Sequence, residues 1–547
     1  MFKKIQFFYI VFFLFLFSTA LHAQVTAPAD SAKKLKQALQ DTNRIKQNTP
    51  APSTVKQAIA DTNVKTNVVA VDTNSKKILV KDTTGHIYNL YRGLLNDDPI
   101  YNKRHPWWQP ALKVVLQNVL LNLFDHYVLN LDFSVVGFNS WKQTANPFFW
   151  TDRWKWDEDR FGNNFFLHPL TGAGYFNSAR ASGMNFFESM PYAFGGSLMW
   201  KMFGENAGSY DPINHPELNG RPEREDIINT TILGIFGGEV TYRLSSNILD
   251  DRTTGTERFF RELVAGLIDP ARFTARLLQG KLGSVTTEEV YQKEPLDVVL
   301  SGGVQVQGSK NPKVVLNADF DYGDPFEKRD RKPFDYFTLR TDVTIGEGRK
   351  VITNITGEGL LYGKNMKLGN TEMLTGAFMH YDYWDSYNFE LATMAFSGGI
   401  VSKFAVAPNT NLYTNFNLGI VPFAGNSREY GPDTSQTRDY YFSAGAEAKL
   451  EVTLNYQGFV SGTVLAYYYW LNTIERPLIV GRPGNDYIAI IKPRIEFHLF
   501  NNVGIGIEHQ IYLDDRVYSD NTPTIHTSKS QDRLFLLVYL ADFLHNR

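Results

Sequence analysis

The sequence predicts a transmembrane antiparallel β-barrel of about twelve strands, preceded by a mainly helical periplasmic or plug domain. Three observations carry that expectation. The chain opens with an export signal, its hydropathy alternates with period two from about residue 295 onward, and it is rich in aromatics without being apolar overall. Aromatics make up 14% of the chain, with 40 Phe and 28 Tyr, while mean hydropathy stays at −0.27. An aromatic girdle and a lipid-facing band alternating with a polar interior give that combination.

Taken in order, Lys3 and Lys4 precede an apolar run from Phe7 to Phe17, and Ala20-Leu21-His22-Ala23 follows. A basic head, a short apolar stretch and a small-residue exit make residues 1–23 a secretory signal peptide cut after Ala23. The chain contains no cysteine, which excludes an N-terminal lipid anchor, disulfides and thiolate metal sites. No later run approaches the roughly 18 apolar residues of a spanning helix. Residues 24–90 read as a disordered tether, with Asp41-Thr42-Asn43, Asp61-Thr62-Asn63 and Asp72-Thr73-Asn74 recurring in a Lys-, Gln- and Ala-rich background. Such a segment has too little apolar surface to offset its ordering entropy.

Residues 91–290 form the helical domain. After Trp107-Trp108-Gln109-Pro110, Leu112, Val115, Leu116, Val119, Leu120, Leu123, Phe124 and Tyr127 fall on one helical face, and Pro110 suits a first turn. Asn118, Asn122, Asp125 and His126 interrupt the run, so this helix packs against protein or a membrane interface and does not span. Glu225-Asp226 starts a second helix with acids at the positive end of its dipole, and Asp269-Pro270 caps a third that Gly280 stops. At least four helices are expected.

Residues 291–547 form the barrel. Along Tyr440–Tyr456 the even positions run Tyr, Phe, Ala, Ala, Ala, Leu, Val, Leu, Tyr, while the odd positions include Ser443, Glu447, Lys449, Glu451 and Thr453. The same two-faced pattern recurs at Val314–Tyr322, Phe337–Ile345, Leu412–Ile420, Ile491–Leu499 and Val503–Leu513, with Asn501-Asn502 as a turn. A soluble β-sandwich also alternates. It is disfavoured because these runs exceed the usual five or six residues and carry charges at mid-strand, which a polar lumen tolerates. Leu534–Leu540 is the last strand, and Phe543 stands where barrels often place a terminal aromatic.

The most unusual segment precedes the barrel. Asn163-Asn164-Phe165-Phe166-Leu167-His168-Pro169, Gly172, Gly174-Tyr175-Phe176 and Ala179-Arg180 come first. Gly195-Gly196-Ser197-Leu198-Met199-Trp200, Gly204-Glu205, Asp226, Asn229-Thr230, Gly237-Gly238-Glu239 and Tyr242-Arg243-Leu244-Ser245 follow. In this order, over about residues 105–285, they resemble the uncharacterised Gram-negative envelope family called domain of unknown function 3943. That family often carries a carboxylate after the tryptophan, where this chain has Lys201. The resemblance implies a location and no mechanism.

Read chemically, His168, Glu188, Glu205 and Asp226, with Glu239, are the candidates for a metal or acid–base site, since imidazole and carboxylates serve both uses. Scattered acids beside one histidine equally make structural hydrogen bonds. Without HExxH or a repeated His spacing, no metal and no cofactor are assigned. Arg180 and Arg243 are candidate anion-binding residues, set beside a bracing role that also covers Arg252, Arg258 and Asp250-Asp251. The glycines suit close helix packing and lack the strand–turn–helix spacing of a phosphate loop. Ser178, Ser182 and Ser197 lie in no nucleophile elbow. Tyr381-Asp382-Tyr383-Trp384 and Tyr467-Tyr468-Tyr469-Trp470 read as membrane girdles.

The expected location is the outer membrane, and the expected partners are its lipid and lipopolysaccharide and the barrel-assembly machinery. A net charge of −2 supplies no basic face for nucleic acid. Three functions fit the sequence: passage, binding or organisation in the envelope without catalysis; an outer-membrane enzyme acting on lipid or lipopolysaccharide; and a soluble periplasmic binding protein. The first is preferred, because no motif fixes a reaction.

Overall fold

The structure, a computed structural model, describes residues 67–72, 77–81, 87–89, 105–127, 156–204 apart from 158, 223–285 and 293–541, the last with interruptions at its turns. The signal segment, most of the tether, Glu205 and Phe543 lie outside the described residues. Within the expected tether, β1 (Asn67–Asp72), β2 (Lys77–Lys81) and β3 (Ile87–Asn89) form a three-stranded antiparallel sheet. The expectation of disorder is corrected there: Val68-Val69-Ala70-Val71 and Ile78-Leu79-Val80 have the β-branched content that strands favour.

The C-terminal half is one closed antiparallel barrel of twelve strands. They are β4 (Leu296–Val306), β5 (Lys313–Tyr322), β6 (Phe337–Ile345), β7 (Ile352–Leu368), β8 (Thr371–Asp385), β9 (Glu390–Ala407), β10 (Thr410–Ser427), β11 (Tyr440–Tyr456), β12 (Val460–Glu475), β13 (Gly484–Phe500), β14 (Val503–Tyr518) and β15 (Ile525–Ala541). Each pairs with the next, and β15 closes on β4 with Leu536 opposite Gly302. Among the described residues these twelve strands close on themselves and do not form two stacked sheets, so the sandwich alternative fails. Strands β8 and β9, at 15 and 18 residues, exceed the 9–11 or so that cross a bilayer.

Burial follows the predicted two faces. On β11 Leu450, Leu454 and Tyr456 point out and are exposed, whereas Glu447 and Lys449 point in and are buried. The lumen is filled by charges and rings. Lys449 bridges Asp382 at 2.5 Å, Arg340 bridges Glu451 at 2.7 Å, and Arg533 bridges Asp342 at 2.7 Å and Glu508 at 3.2 Å. Towards one end the connection after β8 folds inward, stacking Phe389 on Tyr512 with centroids 3.9 Å apart, beside Trp384.

Among the described residues seven α-helices precede the barrel: α1 (Trp108–Tyr127), α2 (His168–Arg180), α3 (Phe186–Met199), α4 (Arg224–Ile228), α5 (Gly234–Ile248), α6 (Gly255–Ile268) and α7 (Pro270–Leu278). As expected, Asp269 caps α7, accepting a hydrogen bond from the Arg272 N–H at 2.9 Å, and Gly280 follows at φ +68°. The Glu225–Leu244 helix divides, because a π-helical turn at Asn229–Leu233 separates α4 from α5. Two more such turns, Asn163–Leu167 and Trp200–Gly204, precede α2 and follow α3.

Helices α2 and α5 cross in backbone contact. A Cβ on Gly172 would lie 1.7 Å from the Thr230 carbonyl oxygen, and one on Gly234 would lie 2.7 Å from the Gly172 Cα. The small-residue reading of the glycines therefore holds at Gly234, while nothing lies within 4 Å of a Cβ at Gly195.

The helical unit is not a plug. Phe165 packs on Phe423 and Phe442, and Phe161 on Tyr383 and Tyr440. Tyr440 and Phe442 continue the outward face of Leu450, and a Cβ on Gly425, which pairs with Phe442, would meet Phe165 at 2.3 Å. On β8, Asp382 points in to Lys449, so the neighbouring Tyr381 and Tyr383 point out; Phe236 meets Tyr381 at 6.0 Å. The helices therefore lie against the outer wall of the barrel from β5 to β11. The helical domain expected ahead of the barrel is present, and only its placement as a plug is corrected, because the wall residues that α2 and α5 cover are aromatic and outward-facing, and the lumen is already occupied by barrel side chains.

Candidate functional site

Helix α1 reverses the usual burial pattern. On α1 the buried positions are Pro110, Val114, Asn118 and Asn122, while Leu112, Leu116, Leu120 and Phe124 are exposed. Asn118 accepts from the Tyr175 hydroxyl at 2.7 Å, and Asn122 donates to the Gly204 carbonyl at 2.7 Å. Phe187, Phe194, Phe259, Phe260, Leu277 and Leu278 are exposed on other helices. No described helix is long and apolar enough to cross a membrane.

Charge sits inside. Arg180 donates to Glu239 from Nε at 2.8 Å and Nη2 at 3.1 Å, and Arg243 reaches Glu239 at 2.7 Å and Asp335 of the barrel at 3.1 Å. Arg180 and Arg272 each lie over the Tyr242 ring, at 4.4 and 4.2 Å. Arg258 and Arg276 share Asp251 and Glu262. In this arrangement Arg180 and Arg243 are braces between elements, the role set beside anion binding.

A second polar centre is assembled by the three described π-helical turns, a helix distortion that recurs at functional sites. His168 begins α2 after the first turn, Lys201 lies in the second, and Asp226 lies in α4, one turn before the third, which starts at Asn229. His168 Nε2 stands 3.4 Å from Asp226 Oδ1. Lys201 bridges Asp226 Oδ2 and lies 2.6 Å from Glu223 Oε2. Asp157 joins from the segment before the first turn, and one donor atom each from Asp157, His168 and Asp226 lie within 4.8 Å of one another. Asn164 ties the centre to the barrel by donating to the Tyr440 hydroxyl at 2.6 Å.

Asp157, Glu225 and Asp226 are buried, and His168, with 21% of its side chain exposed, is the most open member. Burial raises the Asp226 carboxyl to about 6, although Lys201 opposes the rise. Burial first, and then the surrounding carboxylates, push Asp157 and Glu225 well above the ordinary range. Asp157 Oδ2, both Glu225 carboxylate oxygens and both polar atoms of the Asn229 side chain have no hydrogen-bond partner.

Of the sequence candidates, the structure brings His168 and Asp226 together. Glu188 is elsewhere: it forms the capping box of α3 with Asn185, at 2.9 and 3.0 Å. Glu205 is outside the described residues, and Glu239 belongs to the arginine brace. Ser178 and Ser182 donate to the carbonyls of Gly174 and Ser178. Sequence reasoning missed Asp157, Glu223 and the use of Lys201. The one local signal for Asp157 is the dense Trp154-Lys155-Trp156-Asp157-Glu158-Asp159 run just ahead of the asparagine pair.

Residues 153–271 match the model of a family described as a domain of unknown function, DUF3943. That span holds every member of the second polar centre. No curated protein matches the chain. Solved outer-membrane proteins resemble it at low identity. The NanC porin does so at a TM-score of 0.23 and 11% identity, over 44% of this chain and 98% of that one. The outer membrane channel DcaP of Acinetobacter baumannii gives 0.22 and 8%, over 45% and 96%. OmpT of Vibrio cholerae gives 0.21 and 7%, over 45% and 97%.

Proposed function

We propose that this chain is an outer-membrane protein that works on lipid through the helical unit on its outer wall, and that its barrel is an anchor and not a conduit. One observation carries the reading: α1 hides Asn118 and Asn122 and presents leucine and phenylalanine outward. That is the arrangement of a surface whose solvent is hydrocarbon, where polar groups are satisfied internally. The crowded lumen supports the same view.

The polar centre then belongs to the outer leaflet. Both ends of the barrel chain, at Leu296 and Ala541, share one rim with four short connections, 369–370, 408–409, 457–459 and 501–502, and one long one, 323–336. The six connections on the opposite rim run from 386–389 up to 428–439, with none as short as three residues. Bacterial barrels keep short turns in the periplasm and longer loops outside. Tyr440, beside the centre, starts β11 at the opposite rim, after the longer connection 428–439.

The cysteine-free sequence gives a clean test. Leu116→Cys and Leu120→Cys, in protein reconstituted into vesicles, are expected to resist a charged, water-soluble maleimide, while Lys367→Cys near a short turn labels quickly. Equal labelling of all three would remove the lipid assignment. A second reading, an enzyme acting on lipid or lipopolysaccharide, is favoured by the His168–Asp226 pair beside Lys201. It predicts altered lipid A after deletion of the protein, and no restoration of that chemistry by a folded His168→Ala variant.

A further inference from the structure

We infer that Asp157, His168 and Asp226 form a binding site for one divalent transition-metal ion of the manganese or zinc class. The inference is independent of the lipid reading, since it concerns the interior of the helical unit.

Geometry comes first. Donor atoms from the three residues lie within 4.8 Å of one another. Ligand bonds of about 2.1 Å place opposed donors up to about 4.2 Å apart, so a small side-chain adjustment closes the set. Asp157 Oδ1 already accepts from the Asp159 N–H at 2.9 Å, which fixes the carboxylate and leaves Oδ2 unpartnered. Asp226 is held in the same way: its Oδ2 is engaged by Lys201, and its Oδ1 faces His168. Each carboxylate is thus oriented by one oxygen and offers the other.

The second observation is independent of the acids' proximity. Glu225 and Asn229 are fully buried, and no polar atom of either side chain has a hydrogen-bond partner. Glu225 lies close enough to Asp157, Asp226 and Lys201 for their charges to act on one another. Buried charges are paired or coordinate metals, and an unmatched buried amide costs free energy of its own. Lys201 compensates part of the charge of Asp157, Glu223, Glu225 and Asp226. A dication compensates the rest and gives the free oxygens of Glu225 a positive partner, directly or through bound water.

The donor set indicates the kind of ion. One imidazole with carboxylates, and no thiolate, suits manganese or zinc over the softer copper(I), and the imidazole argues against calcium. His168, the half-open member, marks the side from which ion or substrate approaches.

The test uses the full chain in detergent, stripped with chelator and titrated with Mn2+ alone, reading the loss of the free-ion signal by electron paramagnetic resonance. The expected result is one bound ion per chain, displaced by Zn2+. Asp157→Asn and His168→Gln should each weaken binding by about tenfold or more, since even outer-shell changes commonly cost 10- to 100-fold. Heat-modifiable migration verifies the fold of each variant, and either folded variant suffices. A free-ion signal matching buffer throughout the titration, or unchanged affinity in a folded variant, overturns the site.

Discussion

Replacing Glu239 by glutamine is the sharpest perturbation of the helical unit. Glu239 is fully buried and joins Arg180 of α2, at 2.8 and 3.1 Å, to Arg243 of α5, at 2.7 Å. Two unit charges about 4 Å apart attract by about 4 kcal/mol at an effective dielectric constant of 20. The two pairs together thus lose about 8 kcal/mol of attraction when the carboxylate is neutralised. Leaving glutamine in place returns several kcal/mol, because a neutral amide costs less to desolvate than a carboxylate. The arginines stay buried, so the net loss is about 3–5 kcal/mol, in line with breaking other buried pairs. That is a shift of more than about a hundredfold in the local equilibrium. Urea titration of the reconstituted chain, read by proteolysis within residues 159–285 while barrel migration is monitored separately, measures it. A loss below about 1 kcal/mol, with phosphate stabilising the wild type, would restore Arg180 and Arg243 as an anion site and refute the brace.

Two further outcomes follow from the same packing. Gly234→Ala places a methyl group 2.7 Å from the Gly172 Cα, a backbone atom that cannot rotate away. The α2–α5 crossing must open, at about 1–3 kcal/mol, and the same proteolysis assay reads the loss. Asp269 supplies a pH dependence. Burial raises its carboxyl to about 6 although Arg272 opposes the rise, against about 3.9 in an unfolded chain. Between those values the folded state holds a proton that the unfolded state has released. Asp269 therefore contributes stability that grows as pH falls through 6 towards 4 and is lost as pH rises, about 3 kcal/mol from this group. Asp269→Asn flattens that slope relative to wild type in urea midpoints measured across the range.

The barrel was legible because its information is local. Period-two alternation over Tyr440–Tyr456 matches the bounds of β11, and the other alternating runs fall within β5, β6, β10, β13 and β14. Helix starts and stops at Pro110, Asp269 and Gly280 were equally local. What the sequence concealed was which way each apolar face points. The Leu112–Tyr127 stripe of α1 reads like any amphipathic helix, yet it is the outside of the bundle, and the asparagines on the other face are its inside. Periodicity identifies a face without identifying the solvent it meets. The polar centre was half legible for a related reason. His168 and Asp226 stand out as residue types, but Asp157 and Lys201 reach them only because three π-helical turns rotate distant segments inward, and no spacing rule encodes such turns.

The external position of the helices follows from the distribution of polar groups. A unit docked inside the barrel would present polar side chains to a lumen already crossed by Lys449–Asp382, Arg340–Glu451 and Arg533–Asp342. This unit instead keeps most of its ion pairs within itself and presents Phe161, Phe165 and Phe236 to Tyr440, Phe423 and Tyr381 on the outward face of the wall. Aromatic contact of this kind exchanges lipid for protein at little polar cost, and Gly357 and Gly425 let Phe236 and Phe165 approach where any Cβ would intrude. Arg243 then pins the unit to Asp335 beyond the end of β5. Filling those recesses from the barrel side, as Gly425→Leu would, displaces Phe165 without touching a charge. Loss of protease resistance in the helices with an intact barrel is the expected consequence, and unchanged resistance would mean that the wall is not their support.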